Sequence, residues 1–95
     1  MNARDREDLM LARCVRASRS ATTAATTDEA SVFRLAAQLV KTWHPDASHR
    51  LDVCSQQYFK SHPSDHALRF DDLVRAGLVT DVSRLRNMLL HQLRA

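Results

Sequence analysis

The clearest pattern of apolar and polar positions lies between residues 28 and 43, where apolar residues recur at the spacing of one helix face. That face holds Val32, Phe33, Ala36, Leu39, Val40 and Trp43, and the opposite face holds Arg34, Gln38 and Lys41. Thr26 and Glu29 have the spacing of a capping box, a common helix start. The pattern predicts an amphipathic helix from about residue 28 to Trp43, with its apolar face in the core.

Pro45 interrupts this pattern and marks the boundary between two helices. A proline disfavours helical geometry in the residue before it, so the first of the two helices is expected to end before His44. Asp46 or Ser48 is expected to cap the next helix, which must stop before Pro63. The apolar face of this next helix is formed by Leu51, Cys54 and Tyr58.

Two shorter helices are predicted in the C-terminal third of the chain. Ser64 or Asp71 is a candidate start for the first of them, and Gly77 stands where a glycine is expected just past a helix C-terminus. Thr80 is the expected cap of the last helix. The apolar face of that helix is formed by Val82, Leu85, Leu89 and Leu93.

The N-terminal part of the chain has a weaker pattern. Residues 5–18 predict a helix with an imperfect apolar face, and "SRSATTAATT" at residues 18–27 has no apolar period and is typical of a flexible linker. We therefore divide the chain into residues 1–27, a loosely docked helical arm with a linker, and residues 28–95, a helical domain.

Composition supports an all-α fold. The 95 residues suffice for one small core, and the single Gly and two Pro are too few for the tight turns of an all-β fold. We expect a small four- to five-helix bundle built around antiparallel helical hairpins. The net charge of +3 permits contact with nucleic acid or an acidic protein without requiring either.

The sequence carries no signal for secretion or membrane insertion. The first residues, "MNARDREDLMLARC", are charged where a signal peptide is apolar, and no apolar run has the length of a transmembrane helix. Cys14 and Cys54 are too few for a disulfide framework, and each lies on the apolar side of a predicted helix. We expect a cytoplasmic protein with reduced core thiols and no contact with a membrane.

Four histidines lie within a short segment, which raises the question of a metal or catalytic site. They are His44, His49, His62 and His66, with Cys54 among them. A structural zinc site needs three or four ligands that converge, usually as closely spaced pairs, and this spacing does not supply them. A buried cysteine is a poor nucleophile. We therefore predict no metal, no cofactor, no catalytic residues and no enzymatic activity.

The C-terminal segment "DDLVRAGLVTDVSRLRNMLLHQL" has the outline of a helix-turn-helix, a DNA-binding motif. In that interpretation Arg84 and Arg86 on the last helix would be exposed and would contact nucleic acid. A helical hairpin with a Gly turn is also an ordinary part of a small bundle. The Leu-rich last helix would suit a homodimer equally well.

The segment from residue 28 to residue 73 resembles a divergent J-domain, the module by which co-chaperones bind DnaK-type ATPase chaperones. In that family an amphipathic helix ends with an aromatic residue before His-Pro-Asp, and an antiparallel helix follows. Here Trp43 precedes His44-Pro45-Asp46. Further points of resemblance are Val32 and Leu39 on the first helix, Tyr58 on the second, and "SHPSDHALRFDD", which ends in Phe70-Asp71.

The resemblance implies a set of partner-binding residues. They are the tripeptide His44, Pro45 and Asp46, together with Arg34, Gln38 and Lys41 on the helix that precedes it. The partner would be a DnaK-type chaperone. Without the resemblance, Pro45-Asp46 is an ordinary helix stop and start.

These observations favour a small, non-enzymatic protein-interaction module, with a J-domain-like hairpin as the most specific hypothesis. A helix-turn-helix nucleic-acid-binding regulator is the alternative, and a small adaptor or inhibitor of another protein also fits the sequence.

Overall fold

The computed structural model describes residues 3–20 and 22–94. The described residues form five helices and no strand: α1 (Ala3–Arg19), α2 (Thr27–Val40), α3 (Pro45–Ser61), α4 (Phe70–Arg75) and α5 (Val82–Arg94). The chain is therefore the small all-α bundle that its sequence predicts. Ala21, within the predicted linker, and residues 1, 2 and 95 lie outside the described residues.

Helices α2 and α3 form an antiparallel hairpin at the centre of the fold. The two helices meet near the start of α2, where the Thr27 hydroxyl lies 3.0 Å from the Tyr58 hydroxyl of α3. They meet again near the turn, where the Ser48 hydroxyl donates to the Ala37 carbonyl at 2.7 Å. Leu51, Cys54 and Tyr58 are buried, which confirms the predicted apolar face of α3.

The start of α2 follows the predicted capping chemistry in part. The Glu29 amide donates to the Thr26 Oγ1 atom at 3.1 Å, so Thr26 is the N-cap. The Glu29 carboxylate does not return to Thr26 as a full capping box requires. It accepts instead from the Ala25 amide at 3.4 Å and from the Arg13 side chain at 2.7 Å.

The turn after α4 is closed by Gly77, as predicted. Gly77 has a φ of 73°, a conformation that glycine adopts without a steric penalty. The Gly77 amide donates to the Val74 carbonyl and the Leu78 amide to the Leu73 carbonyl, each at 3.0 Å. This pair of bonds is the Schellman motif. The helix itself begins at Phe70 with Arg69 at its N-cap, rather than at Ser64 or Asp71.

Helix α5 is capped by Asp81, and the prediction of Thr80 is wrong. The Asp81 carboxylate accepts from the amides of Ser83 and Arg84 at 2.8 and 3.4 Å. The Thr80 amide donates to the Glu7 carboxylate instead. Leu85 and Leu89 are buried within the chain, while Val82 and Leu93 are half-buried.

Helix α1 packs into the same core as the other helices and is not the loosely docked arm expected from its weak pattern. It contacts α2, α3 and α5. Its contribution to the core consists of Met10, Leu11, Cys14 and Ala17. Ala24, in the segment between α1 and α2, is also buried. No helix among the described residues combines the length and the apolar character needed to cross a lipid bilayer.

The predicted apolar face of α2 is buried in its centre but not at its end. Val32, Phe33 and Val40 have no exposed surface, whereas Trp43 is 54% exposed. Trp43 lies three residues past the end of α2, which stops at Val40. The prediction that Trp43 is a core residue is therefore wrong, because α2 and its buried face end before this position.

Candidate interaction surface at the α2–α3 turn

The tripeptide His44-Pro45-Asp46 forms the junction between two helices rather than a separate loop. The amides of Trp43 and His44 both donate to the Val40 carbonyl, at 3.1 and 2.8 Å, and so extend the last turn of α2. His44 then leaves helical geometry, with φ −139° and ψ 74°, because Pro45 disfavours the helical conformation before it. Pro45 occupies the first turn of α3, where its missing amide proton is no loss.

His44 is the N-cap of α3, which corrects the prediction that Asp46 or Ser48 caps this helix. The His44 side chain makes no capping hydrogen bond. Ser48 bonds across the hairpin to Ala37, and Asp46 lies inside the first helical turn, where its charge is favourable to the helix dipole. Pro45 and Asp46 are exposed and His44 is half-buried. The tripeptide is thus a tight, partly exposed turn.

Four of the six residues predicted to bind a partner line one polar groove between α2 and α3. The groove has two adjoining cavities of about 320 and 560 Å³, which share Gln38 and Asp52. Lys41 and Pro45 line the cavity nearer the turn, and Arg34 lines the other. His44 and Asp46 do not line either cavity. The structure therefore places Arg34, Gln38 and Lys41 on one exposed face that leads to the turn.

The exposed Trp43, beside the turn, forms a pair with the half-buried Arg86. The Arg86 guanidinium carbon lies 5.7 Å from the centroid of the Trp43 ring, within the range of a cation–π interaction. Arg86 itself lies on α5. Sequence reasoning assigned Trp43 to the core and Arg86 to nucleic acid, and it missed their contact because the two residues are far apart in the chain.

Arg84, the other residue predicted to bind nucleic acid, is paired with a buried carboxylate. It forms an ion pair with Glu7, whose side chain is only 5% exposed, and it lies 3.9 Å from the exposed Asp8 carboxylate. Glu7 also accepts from the Thr80 amide. The expectation of two exposed arginines on α5 is therefore corrected: both are half-buried and both have partners within the chain.

The C-terminal hairpin, formed by α4 and α5, also differs from a helix-turn-helix motif with an exposed recognition helix. Helix α4 has six residues, and Leu73 is its buried residue. Helix α5 packs mainly against α1 and α2. Leu85 and Leu89 are used within the chain, so the fully buried part of the Leu face is not available for the homodimer considered from the sequence.

The four histidines that are close together in the sequence lie in different surroundings in the structure. His62 stacks on Tyr58 with ring centroids 4.1 Å apart, and its Nδ1 atom lies 2.9 Å from the Tyr58 carbonyl. His49 and His66 are exposed on the groove. Over residues 3–20 and 22–94, no three His, Cys, Asp or Glu side chains are grouped closely enough to hold a metal ion.

Both cysteines are buried free thiols. Burial, with a further contribution from the Glu29 carboxylate, raises the pKa of the Cys14 thiol far above its ordinary value. A thiol that stays protonated is a poor nucleophile. Cys14 is thus a packing residue rather than a candidate for covalent chemistry.

A polar cluster that the sequence did not reveal fixes the segment between α3 and α4. The hydroxyls of Thr27 and Tyr58 both bond to the Asp65 Oδ2 atom, at 3.1 and 3.0 Å. The Ser31 hydroxyl accepts from the Leu68 amide at 2.9 Å. These bonds hold residues 62–69 against the hairpin and so form one wall of the groove. No local pattern predicts them, because Thr27 and Asp65 are 38 residues apart and Ser31 and Leu68 are 37 residues apart; only Tyr58 and Asp65 are close in the chain.

No family model, curated protein or solved structure was found to match this chain. The fold and the site define the class: a small all-α bundle with a polar groove on its central hairpin.

Proposed function

We propose that the chain is a non-enzymatic protein-interaction module that binds its partner through the α2–α3 groove and the adjoining turn. The observation that carries this proposal is the placement of Arg34, Gln38, Lys41 and Pro45 along one exposed groove. The helices on both sides fix the backbone that carries these side chains, so little backbone freedom is lost when a partner binds.

The partner we propose is a DnaK-type ATPase chaperone. This finer proposal rests on the resemblance of residues 28–73 to a J-domain and on two features of the structure. The His44-Pro45-Asp46 junction connects two antiparallel helices, and Arg34 and Lys41 lie on the exposed face that leads to it. Asp46 is exposed in the first turn of α3, where a partner's cation can reach it.

A protein partner is favoured over nucleic acid. Arg84 is held by the buried Glu7 carboxylate, and its release to a phosphate would leave that carboxylate without its countercharge. The groove, in contrast, has cations at both ends with the carboxylate of Asp52 between them. Such mixed charge suits a protein surface better than a uniformly negative nucleic-acid backbone.

The test is stimulation of the ATPase of a DnaK-type chaperone under single-turnover conditions. Wild-type protein should accelerate hydrolysis, and His44→Gln or Asp46→Asn should abolish the acceleration. Asp28→Asn is the matched control for Asp46→Asn, since Asp28 is an exposed carboxylate in the first turn of the neighbouring helix. His91→Gln serves in the same way for His44, because His91 is exposed near the end of α5.

Two results would refute the chaperone proposal. The first is absence of stimulation by the wild-type protein. The second is equal loss of stimulation in Asp28→Asn and Asp46→Asn, because a general effect on helix stability would then account for both. The stimulation should also fall as salt is raised, since Arg34 and Lys41 are exposed and their attraction to an acidic surface is screened.

A further inference from the structure

A second surface, which adjoins the groove at Arg34 and Gln38, carries most of the exposed apolar bulk of the described residues. Among those residues the large exposed hydrophobic side chains are Leu9, Trp43, Phe70 and Val74. Trp43 follows Leu35 and Leu39 at intervals of four residues, and both leucines are half-buried. The bond from the His44 amide to the Val40 carbonyl closes one more helical turn after the end of α2, and Trp43 lies in that turn. Residues 35, 39 and 43 therefore form one row.

This row continues onto α4. Leu35 and Phe70 line the same cavity of about 310 Å³. Phe70 and Val74 are four residues apart on α4 and so share a face. We call the combined surface the apolar strip, which consists of Trp43, Leu39, Leu35, Phe70 and Val74. A surface that combines exposed and half-buried apolar side chains in this way is a candidate protein-binding site.

Arginines flank the apolar strip. Arg34 and Arg69 line the cavity that joins its two helices, and no carboxylate lines that cavity. Arg86 lies over the ring of Trp43, at one end of the strip. Within the part of the chain that the structure describes, none of these three arginines forms an ion pair. The carboxylates of Asp71 and Asp72 are on α4 but do not line the cavity.

We propose that the apolar strip binds an acidic amphipathic helix of a partner protein. A helix presents apolar side chains every three or four residues, which matches a row with the same spacing on α2. Carboxylates on the two sides of such a helix would meet Arg34, Arg69 and Arg86. Trp and Arg are also the residue types that most often dominate the binding energy of an interface. This inference does not rest on the chaperone proposal, which concerns the groove and the turn.

The single Trp of the chain makes the test direct, because Trp43 lies in the strip. The probes are two helical, stapled peptides without Trp. Both have Leu at every third or fourth position, and one carries Glu and the other Lys on the flanks. The Glu peptide should shift the Trp43 emission to shorter wavelength and protect it from acrylamide. It should bind at least about tenfold tighter than the Lys peptide, which corresponds to about 1.4 kcal/mol.

Charge-reversal variants then locate the site. Arg69→Glu should weaken binding of the labelled Glu peptide at least about fivefold, and the milder Arg69→Gln should weaken it less. Arg16→Glu makes the same charge change on an exposed face of α1 and should bind like wild type. Arg69 makes no side-chain cap to α4, so circular dichroism of its variants should match wild type.

Three outcomes would overturn the proposal. Equal affinity for the Glu and Lys peptides would remove the role of the arginines. A Trp43 emission that does not respond to either peptide would show that the strip does not accept a helix. Concentration-dependent burial of Trp43 without peptide, with a doubled mass in sedimentation, would show that a second copy of the chain covers the strip. The turn variant Asp46→Asn should leave peptide binding unchanged, so this test and the chaperone test fail independently.

Discussion

Replacing Arg84 with Ala should destabilise the protein because it removes the countercharge of a buried carboxylate. Glu7 lies on α1 and its side chain is only 5% exposed, so water solvates it poorly. Loss of one partner of a fully buried ion pair costs about 3 to 5 kcal/mol. Arg84 is itself 35% exposed, which lets water reach the carboxylate once the guanidinium is gone. Glu7 also keeps its bond from the Thr80 amide.

We therefore expect a loss near the value of a charged hydrogen bond, about 2 kcal/mol. Asp8 adds little to this value, because its carboxylate is 53% exposed and 3.9 Å away. For a domain of this size, about 2 kcal/mol corresponds to a fall of about 8 to 16 °C in Tm.

The assay is urea unfolding followed by circular dichroism at a helix band, with the variants Arg84→Ala, Glu7→Gln and the double variant. A double-mutant cycle should give a coupling energy of at least about 1 kcal/mol between Glu7 and Arg84. Arg86→Ala is the control, because Arg86 loses only a cation–π contact with an exposed ring, worth about 0.5 to 1 kcal/mol. If Arg84→Ala costs no more than Arg86→Ala, the ion pair does not hold α1 to α5 and the reasoning is wrong.

Three further predictions concern the core and its thiols. Phe33→Ala should lower the free energy of unfolding by about 3 to 5 kcal/mol because Phe33 is fully buried, whereas Trp43→Ala should lower it by only about 1 kcal/mol. Equal losses in urea unfolding would contradict the exposure of Trp43. Burial raises the pKa of Cys14, so the folded thiol stays protonated at a pH where the unfolded thiol ionises. The free energy of unfolding should therefore fall as pH rises above about 8.5. In the Cys14→Ala variant it should fall less steeply. An identical pH dependence in the two proteins would exclude this origin. Tyr58→Phe should cost about 0.5 to 1.5 kcal/mol and loosen residues 62–69, as amide hydrogen exchange would show; unchanged protection of this segment would mean that the bond to Asp65 does not hold it.

Local chemistry in the sequence determined the start of α2 and the turn that ends α4. The Thr26 hydroxyl needs an amide only three residues away, and Gly77 needs only a backbone that tolerates a positive φ, so both signals can be recognised without tertiary information. The stripe of Leu51, Cys54 and Tyr58 is of the same kind, because the helical repeat alone places the three residues on one face. These features suffice for the all-α class and for the central hairpin.

The sequence could not decide between neighbouring cap candidates, and the tertiary structure was needed to identify the cap. Thr80 and Asp81 are both good N-caps by composition, and Asp81 caps α5 while the Thr80 amide turns to Glu7, 73 residues away in the chain. The position of α1 was settled by contacts of the same range. Its apolar face is weak, but the ion pairs of Glu7 with Arg84 and of Arg13 with Glu29 fix it to α5 and α2.

The candidate site, too, could be predicted from the sequence only in part. The spacing of Arg34, Gln38 and Lys41 shows from the sequence that they share an exposed face, because four-residue and three-residue steps return to the same side of a helix. Whether Trp43 is buried, and whether Arg84 and Arg86 are free, depends on which surface of another helix lies opposite. Periodicity shows which residues of one helix share a face. Only the packing of the five helices determines which faces are buried against protein and which are exposed to water.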